Sequence, residues 1–360
     1  MKGSTRLYSL VGFAIFLTLF LLGLTTYGYY QLERWGKTPL AITTPVELTL
    51  SRGEGLRSFG KKLEQSHVIS HHLLFEMWVR LFSDYARYQA GSYRIEPALT
   101  LFELDAMIRK GEIFQPVLLE LTIPEGFTAE QILHRAAEQN VGTTDELRYA
   151  LLNTDWRSRY PQLPERTGLD SSLEGYLFPA TYRFTEFPEP EDLFVTLLNT
   201  FFEKLPAYYV DELQKIELSL DQGVTLASLI ERETRADEER PIVSDVIHNR
   251  LKRKMVLGID ASIIYGIKDF DGNLRYRHLQ DKQNSYNTRI HPGLPPTPIC
   301  SPGLPSLEAV VSPSGHGYLY YVVDADDFSK HRFAKKLSEH NQNVKAYWKA
   351  KRIADAAAQK

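Results

Sequence analysis

The residues best suited to acid–base chemistry lie in Thr225-Leu226-Ala227-Ser228-Leu229-Ile230-Glu231-Arg232-Glu233-Thr234. Thr225 suits a helix N-cap, and Leu226, Leu229 and Ile230 follow the i, i+3, i+4 spacing of a buried helical face. A glutamate among apolar neighbours is disfavoured in its charged form. Its pKa then rises, and it can deliver a proton near neutral pH, as a general acid in glycoside cleavage must. Spacing alone leaves two glutamates open. Glu233 extends the apolar stripe and Glu231 lies toward its edge, so periodicity favours Glu233. The plainer alternative has both acids pairing with Arg232, Arg235 or Arg240 on a wet helix face.

A second helix follows, with Pro241 in its first turn, Ile242, Val243, Val246, Ile247 and Leu251 as its core face, and Asn249-Arg250 near its end, where they can orient a carboxylate or contact sugar hydroxyls. Further on, Gly293-Leu294-Pro295-Pro296-Thr297-Pro298 and Ser301-Pro302-Gly303 form a Pro/Gly-rich stretch, which reads as a long shaped loop of the kind that lines sites.

These elements belong to the larger of two expected domains. An internal repeat runs through the chain: Glu47-Leu48-Thr49-Leu50, Ser51-Arg52-Gly53 and a helical stretch resemble Glu120-Leu121-Thr122-Ile123, Pro124-Glu125-Gly126 and another. Both read as strand, turn and amphipathic helix. Between the copies come a helix over about Ser70–Ser83, a strand at Gln89–Ile95, and a helix capped by Thr100. His67, His71 and His72 lack the fixed carboxylate spacing of a metal site and read as a solvated helix start.

The N-terminus sets the compartment. Leu7 to Tyr30 carries no charge, and about 20 apolar residues suffice to cross a bilayer as a helix. Lys2 and Arg6 precede the run, and Tyr27, Tyr29, Tyr30 and Trp35 gather at its far end, so the tail is expected in the cytoplasm and the remainder outside, with the chain single-pass in the cytoplasmic (inner) membrane. A cleaved signal peptide is the rival reading, but the run is long for one and no small-x-small pattern follows Leu24. The resulting layout is a cytoplasmic tail (1–6), a transmembrane helix (7–30), a linker (31–45), a small α+β module (46–115), a larger mixed α+β domain (116–348) and an alanine- and charge-rich tail (349–360).

With 42 Lys+Arg against 45 Asp+Glu the net charge is −3, so no electrostatic footprint for nucleic acid exists. Cys300 is the one cysteine, which excludes an intramolecular disulfide and any cysteine-rich metal site.

The ordered set Leu226–Thr234, Val246–Leu251, Asp260 with Tyr265-Gly266, Tyr286-Asn287-Thr288, Gly293–Pro296, Pro302-Gly303 and Tyr318–Val322 closely resembles the endolytic murein transglycosylase family (MltG/YceG-like). Leu173–Pro179 with Thr181-Tyr182, and the closing His331, Phe333, His340 and Asn341, extend the likeness from about Glu47 to Trp348. The resemblance implies a LysM-like glycan-binding first module and a YceG-like catalytic domain. It makes Glu231, against the periodicity, the catalytic glutamate, and it needs no cofactor and no metal. Glu231 would protonate the bond between N-acetylmuramic acid and N-acetylglucosamine, then accept the proton of the muramyl 6-hydroxyl as that oxygen closes a 1,6-anhydro ring and ends the strand. Asn249, Arg250, Asp260, Tyr286, Asn287, Gly293, Leu294 and Pro295 would shape or support the cleft. Peptidoglycan strands are the implied partner, with peptidoglycan synthases nearby. Ala261, Thr297 and Ser301 depart from the family's usual residues. Two alternatives stand beside this reading: a muramidase-type hydrolase with Asp260 as second carboxylate, and a membrane-anchored scaffold that binds wall without cutting it.

Overall fold

The computed structural model describes residues 2–165, 173–234 and 236–358, with 2–11 and 357–358 described by their backbone alone. It is mixed α+β and divides into two compact units, Met1–Pro116 and Val117–Lys360. Arg235, one of the candidate ion-pair partners, lies outside the described residues.

The first unit runs α1 (Lys2–Lys37), β1 (Val46–Leu50), α2 (Leu56–Gln65), α3 (His72–Phe82), β2 (Gly91–Ile95) and α4 (Leu101–Lys110). Strands β1 and β2 pair antiparallel, Val46 opposite Ile95 and Leu50 opposite Gly91. Phe59, Leu63, Trp78, Tyr93, Ile95 and Leu104 fill the core beneath them. The Thr100 hydroxyl accepts from the Glu103 N–H and the Glu103 carboxylate accepts from the Thr100 N–H, a reciprocal cap for α4. Residues 31–37, read as the start of a linker, are helical. Leu32 and Trp35 pack on the module's core, and the Leu40 N–H donates to the Leu99 carbonyl at 2.7 Å. His72 Nδ1 lies 2.5 Å from Glu64.

The second unit opens with β3 (Leu119–Thr122), α5 (Ala129–Glu138), α6 (Thr144–Asn153), α7 (Trp156–Arg159) and β4 (Thr181–Phe184). It continues through α8 (Pro190–Lys204), α9 (Tyr209–Lys215), α10 (Leu220–Glu233), α11 (Arg240–Lys252), α12 (Asp260–Tyr265) and α13 (Tyr276–Leu279). It closes with α14 (Leu304–Val311), β5 (Tyr320–Val323), β6 (His331–Ala334) and α15 (Leu337–Ala358). β3 pairs antiparallel with β4, and β5 with β6. The repeat is thus present in space. Each copy is a strand, a turn with a positive-φ glycine (Gly53 at 78°, Gly126 at 76°) and a helix, and each strand pairs with a later one.

Helix α10 differs from its expected form. It starts at Leu220, where Ser219 and Gln222 form the cap, and Thr225 sits inside it with its hydroxyl on the Asp221 carbonyl at 2.8 Å. Every residue from Gly223 to Ile230 is buried. A helix enclosed on all sides shows no wet face in its sequence, so the stripe that reveals a surface helix does not mark where this one begins.

Candidate active site

Helix α10 is the central rod of the second unit, packed against α11, α12 and α14. Successive side chains on a helix point about 100° apart, so the three polar residues at its end diverge in three directions.

Glu231 points toward the start of α14. Its side chain is only 6% exposed, yet its surroundings are not the apolar ones anticipated. Oε2 accepts from the Gly303 N–H at 3.0 Å, from Ser306 Oγ at 2.8 Å and from Arg240 Nη1 at 3.1 Å. Gly303 is the N-cap of α14 and Ser306 lies in its first turn, so the carboxylate also meets the positive end of that helix. Among the described residues no donor bonds to Oε1. The ion pair with Arg240 weighed above does exist, but both side chains are 6% exposed, so it is buried and not on a wet face.

Arg240 organises this corner. Its Nη1 also bonds Ser306 Oγ at 2.5 Å, its Nε bonds Asp237 at 3.0 Å, and its Nη2 lies 3.8 Å from Glu125. Burial pulls the guanidinium's pKa down, but the Glu231 and Asp237 carboxylates outweigh this and leave it above its ordinary value. The preceding residue, Glu239, is buried and takes both the backbone N–H and the ring Nδ1 of His331 at 2.7 Å, which fixes the start of α11 to β6.

Glu125 is a site residue that the sequence reading passed over. Burial, and then the nearby charge of Glu231, push its carboxyl pKa up, with Arg240 opposing. It lies against Gly303 so closely that a Cβ there would stand 1.9 Å from Glu125 Oε1. The signal was in the repeat: Glu125 takes the turn position that Arg52 holds in the first copy.

Arg232 points elsewhere, donating to the Gly126 carbonyl at 3.3 Å and lining a cavity of about 640 Å3 with Glu174, Tyr265, Asn284 and Tyr286. The Tyr265 and Tyr286 rings meet edge to face at 4.9 Å, and Tyr286 Oη lies 2.7 Å from Thr297 Oγ1. Buried Glu174 receives the Ala129 N–H on both oxygens at 3.1 Å and the Tyr265 hydroxyl at 3.0 Å, so the Leu173–Pro179 motif clamps the first turn of α5 to α12.

Glu233 faces a second cavity, of about 480 Å3, lined also by Arg250, Gly258, Asp260, Arg289, Tyr321 and His340. Enclosure by protein pushes its pKa above the ordinary range, outweighing the hydrogen bond from Tyr321 Oη at 2.7 Å. Asp260 is paired with Arg289 at 2.8 Å. The second carboxylate of the hydrolase alternative therefore stands with Glu233, whereas Glu125 is the acid beside Glu231. Glu231 itself lines neither cavity.

The remaining candidates are scattered. Asn249 spends its amide on the Tyr318 carbonyl at 3.0 Å, and Arg250 donates to Leu319 and Leu257 carbonyls at 2.7 and 2.6 Å. Asn287 is fully buried and braces its own loop through the carbonyls of His278, Leu279 and Asp281. Gly293, at φ 93°, Leu294 and Pro295 belong to the loop that leads to α14 and line neither cavity.

The model of the YceG-like family matches residues 48–346, which takes in both α10 and the loop before α14. The chain belongs to the YceG-like family. A protein named endolytic murein transglycosylase from Streptococcus pneumoniae serotype 2 (strain D39 / NCTC 7466) is 28% identical over 359 residues, covering 93% of this YceG-like chain. This chain spans 64% of that relative's length. One of the same name from Bacillus subtilis (strain 168) is 28% identical over 325 residues, 86% of each chain. The crystal structure of a YceG-like protein from Listeria monocytogenes matches with a TM-score of 0.57 at 28% identity, over 84% of this chain and 99% of that one.

Proposed function

We propose that this chain is a membrane-anchored peptidoglycan lytic transglycosylase and that Glu231 is its acid–base residue. The observation that carries this is the convergence of three donors on Glu231 Oε2 with Oε1 left unbonded among the described residues. One oxygen fixes the carboxyl, and the other can exchange a proton. The names of the relatives, endolytic murein transglycosylases, support the substrate class.

In this reading Glu231 gives its proton to the glycosidic oxygen between N-acetylmuramic acid and N-acetylglucosamine. The C1–O bond breaks, and the muramyl 6-hydroxyl oxygen bonds to C1. Its proton returns to the Glu231 carboxylate, so no water is consumed and a 1,6-anhydro end results. Because the nucleophile is part of the substrate, proximity is supplied by the sugar itself, and one acid–base group contributes about 10²–10⁴-fold. In the cavity beside Arg232, the Tyr265 and Tyr286 rings offer apolar faces to which a further sugar of the strand can be held. A glycan-binding role for the LysM-like module, the ending of strand growth and proximity to peptidoglycan synthases belong to the same reading.

The anchor is α1, whose segment Gly12–Lys37 is long and apolar enough to cross a membrane. Lys2 and Arg6 before the apolar run favour a cytoplasmic N-terminus with both folded units outside. Mass spectrometry of purified glycan strands after digestion tests the function. Anhydro ends made by the native chain and not by Glu231→Gln support it. Reducing ends indicate a hydrolase, and uncut strands indicate a scaffold; either result refutes the transglycosylase assignment.

A further inference from the structure

Helix α3 carries two faces. Phe75, Trp78 and Val79 are buried in the module, whereas Leu73, Leu74, Met77 and Leu81 are exposed, at 54%, 37%, 49% and 54%. Four large apolar side chains on one side of an eleven-residue helix are an unusual outer surface for a soluble module. Where that surface lies decides what covers it.

The outer end of α1 is built into the same unit. Trp35 packs on the module's core, and Gly36 lies so near Trp78 that a Cβ would stand 2.2 Å from its Nε1, a place only glycine fits. Phe82 at the end of α3 meets Tyr29 with ring centroids 4.8 Å apart and the planes tilted by 43°. Met77 and Leu81 share an open apolar groove of about 610 Å3 with Gly28, Tyr29 and Leu32 of α1. The groove's two threonines, Thr25 and Thr26, donate to the Leu22 carbonyl at 2.9 and 2.7 Å. Both threonine hydroxyls are thus satisfied within the helix, and the rest of the lining is apolar side chain and the Tyr29 ring, which suits a hydrocarbon occupant better than a sugar.

Depth follows from helix geometry. Counted from Leu7, about 20 residues at 1.5 Å each cross the roughly 30 Å hydrocarbon core and bring α1 to about residue 27. The turns that touch Met77 and Leu81 therefore sit where acyl chains give way to headgroups, and Tyr27, Tyr29 and Tyr30, all exposed, form the aromatic belt of that boundary. Arg80, exposed between Met77 and Leu81, can extend its head to lipid phosphates.

We infer that the exposed face of α3, Leu73, Leu74, Met77 and Leu81, docks into the outer leaflet beside α1, so that the small module lies on the bilayer surface at a fixed height. This rests on the anchoring of α1 under the proposed function, and the test separates the two. The full chain carrying Met77→Cys, and separately Phe16→Cys within the span, is labelled with bimane; native Cys300 is fully buried and leaves the introduced thiol as the reactive one. Each is placed in phosphatidylcholine/phosphatidylglycerol nanodiscs with or without doxyl-labelled lipid, and aqueous iodide is added. Doxyl lipid should quench most of the emission at both positions, and iodide should quench little at position 77. A Phe16 label quenched by lipid together with a Met77 label open to iodide and blind to doxyl lipid overturns the docking and leaves the anchor intact. Neither label responding to lipid removes the anchor and the docking together. A Met77 label shielded from iodide, blind to doxyl lipid and self-quenched in discs holding two chains assigns the face to a second copy and also overturns the inference.

Discussion

Replacing Arg240 with methionine keeps most of the side chain's volume and removes the charge that faces Glu231. Arg240 and Glu231 are each 6% exposed and 3.1 Å apart, and stripping one partner from a buried pair costs about 3–5 kcal/mol because the other charge is left enclosed. Glu125, on the open side of the cluster, is 46% exposed, which lets water reach this corner and places the expectation near the lower end, roughly 3 kcal/mol. For a unit of this size each 1 kcal/mol moves the melting temperature by about 2–4 °C, so Arg240→Met should lower Tm by roughly 6–12 °C. The diagnostic comparison repeats the substitution on Glu231→Gln. There the stranded group is neutral, and the loss caused by Arg240→Met should shrink by at least ~1 kcal/mol, as contacting buried partners couple. Differential scanning calorimetry of the four proteins closes the cycle. An equal Tm loss in both backgrounds would show that Arg240 acts through Asp237 or Ser306 instead, and the reasoning about the site would be wrong.

Glu231→Gln should reduce glycan cleavage by about 10²–10⁴-fold, measured as anhydro ends released per unit time; retention of more than a tenth of the rate would remove Glu231 from the chemistry. Gly303→Ala brings a methyl within 1.9 Å of Glu125 Oε1; because that carboxylate ends a flexible, half-exposed side chain, Tm should hold while cleavage falls, and unchanged kinetics would show that the place of Glu125 is immaterial. For Glu233, the folded-state pKa is raised above its ordinary 4.5 by burial. Its contribution to stability is therefore complete below about pH 4.5 and declines as pH rises through the raised value. Glu233→Gln, which can still accept from Tyr321, should flatten that decline in urea melts taken across the acid-to-neutral range; parallel curves would contradict it.

The sequence by itself determined what is local. The uncharged run to Tyr30 marks α1, the Thr100/Glu103 spacing marks the cap of α4, and the strand–turn–helix repeat is visible because period, glycine and apolar pattern recur within a few residues of one another. The ordered motifs of α10, α11 and the Pro/Gly loop are also legible as those of the YceG-like family. What surrounds Glu231 was decided only by the tertiary structure. Its partners Gly303, Ser306 and Arg240 lie 72, 75 and 9 positions away, and Glu125 arrives from the turn after β3. Periodicity sees the face of a single helix, so it preferred Glu233, which continues the stripe and whose carboxyl pKa burial does push up. It carries no information about which loop end or arginine will meet that face, because those contacts are set by the packing of α11 and α14 on a helix buried all round.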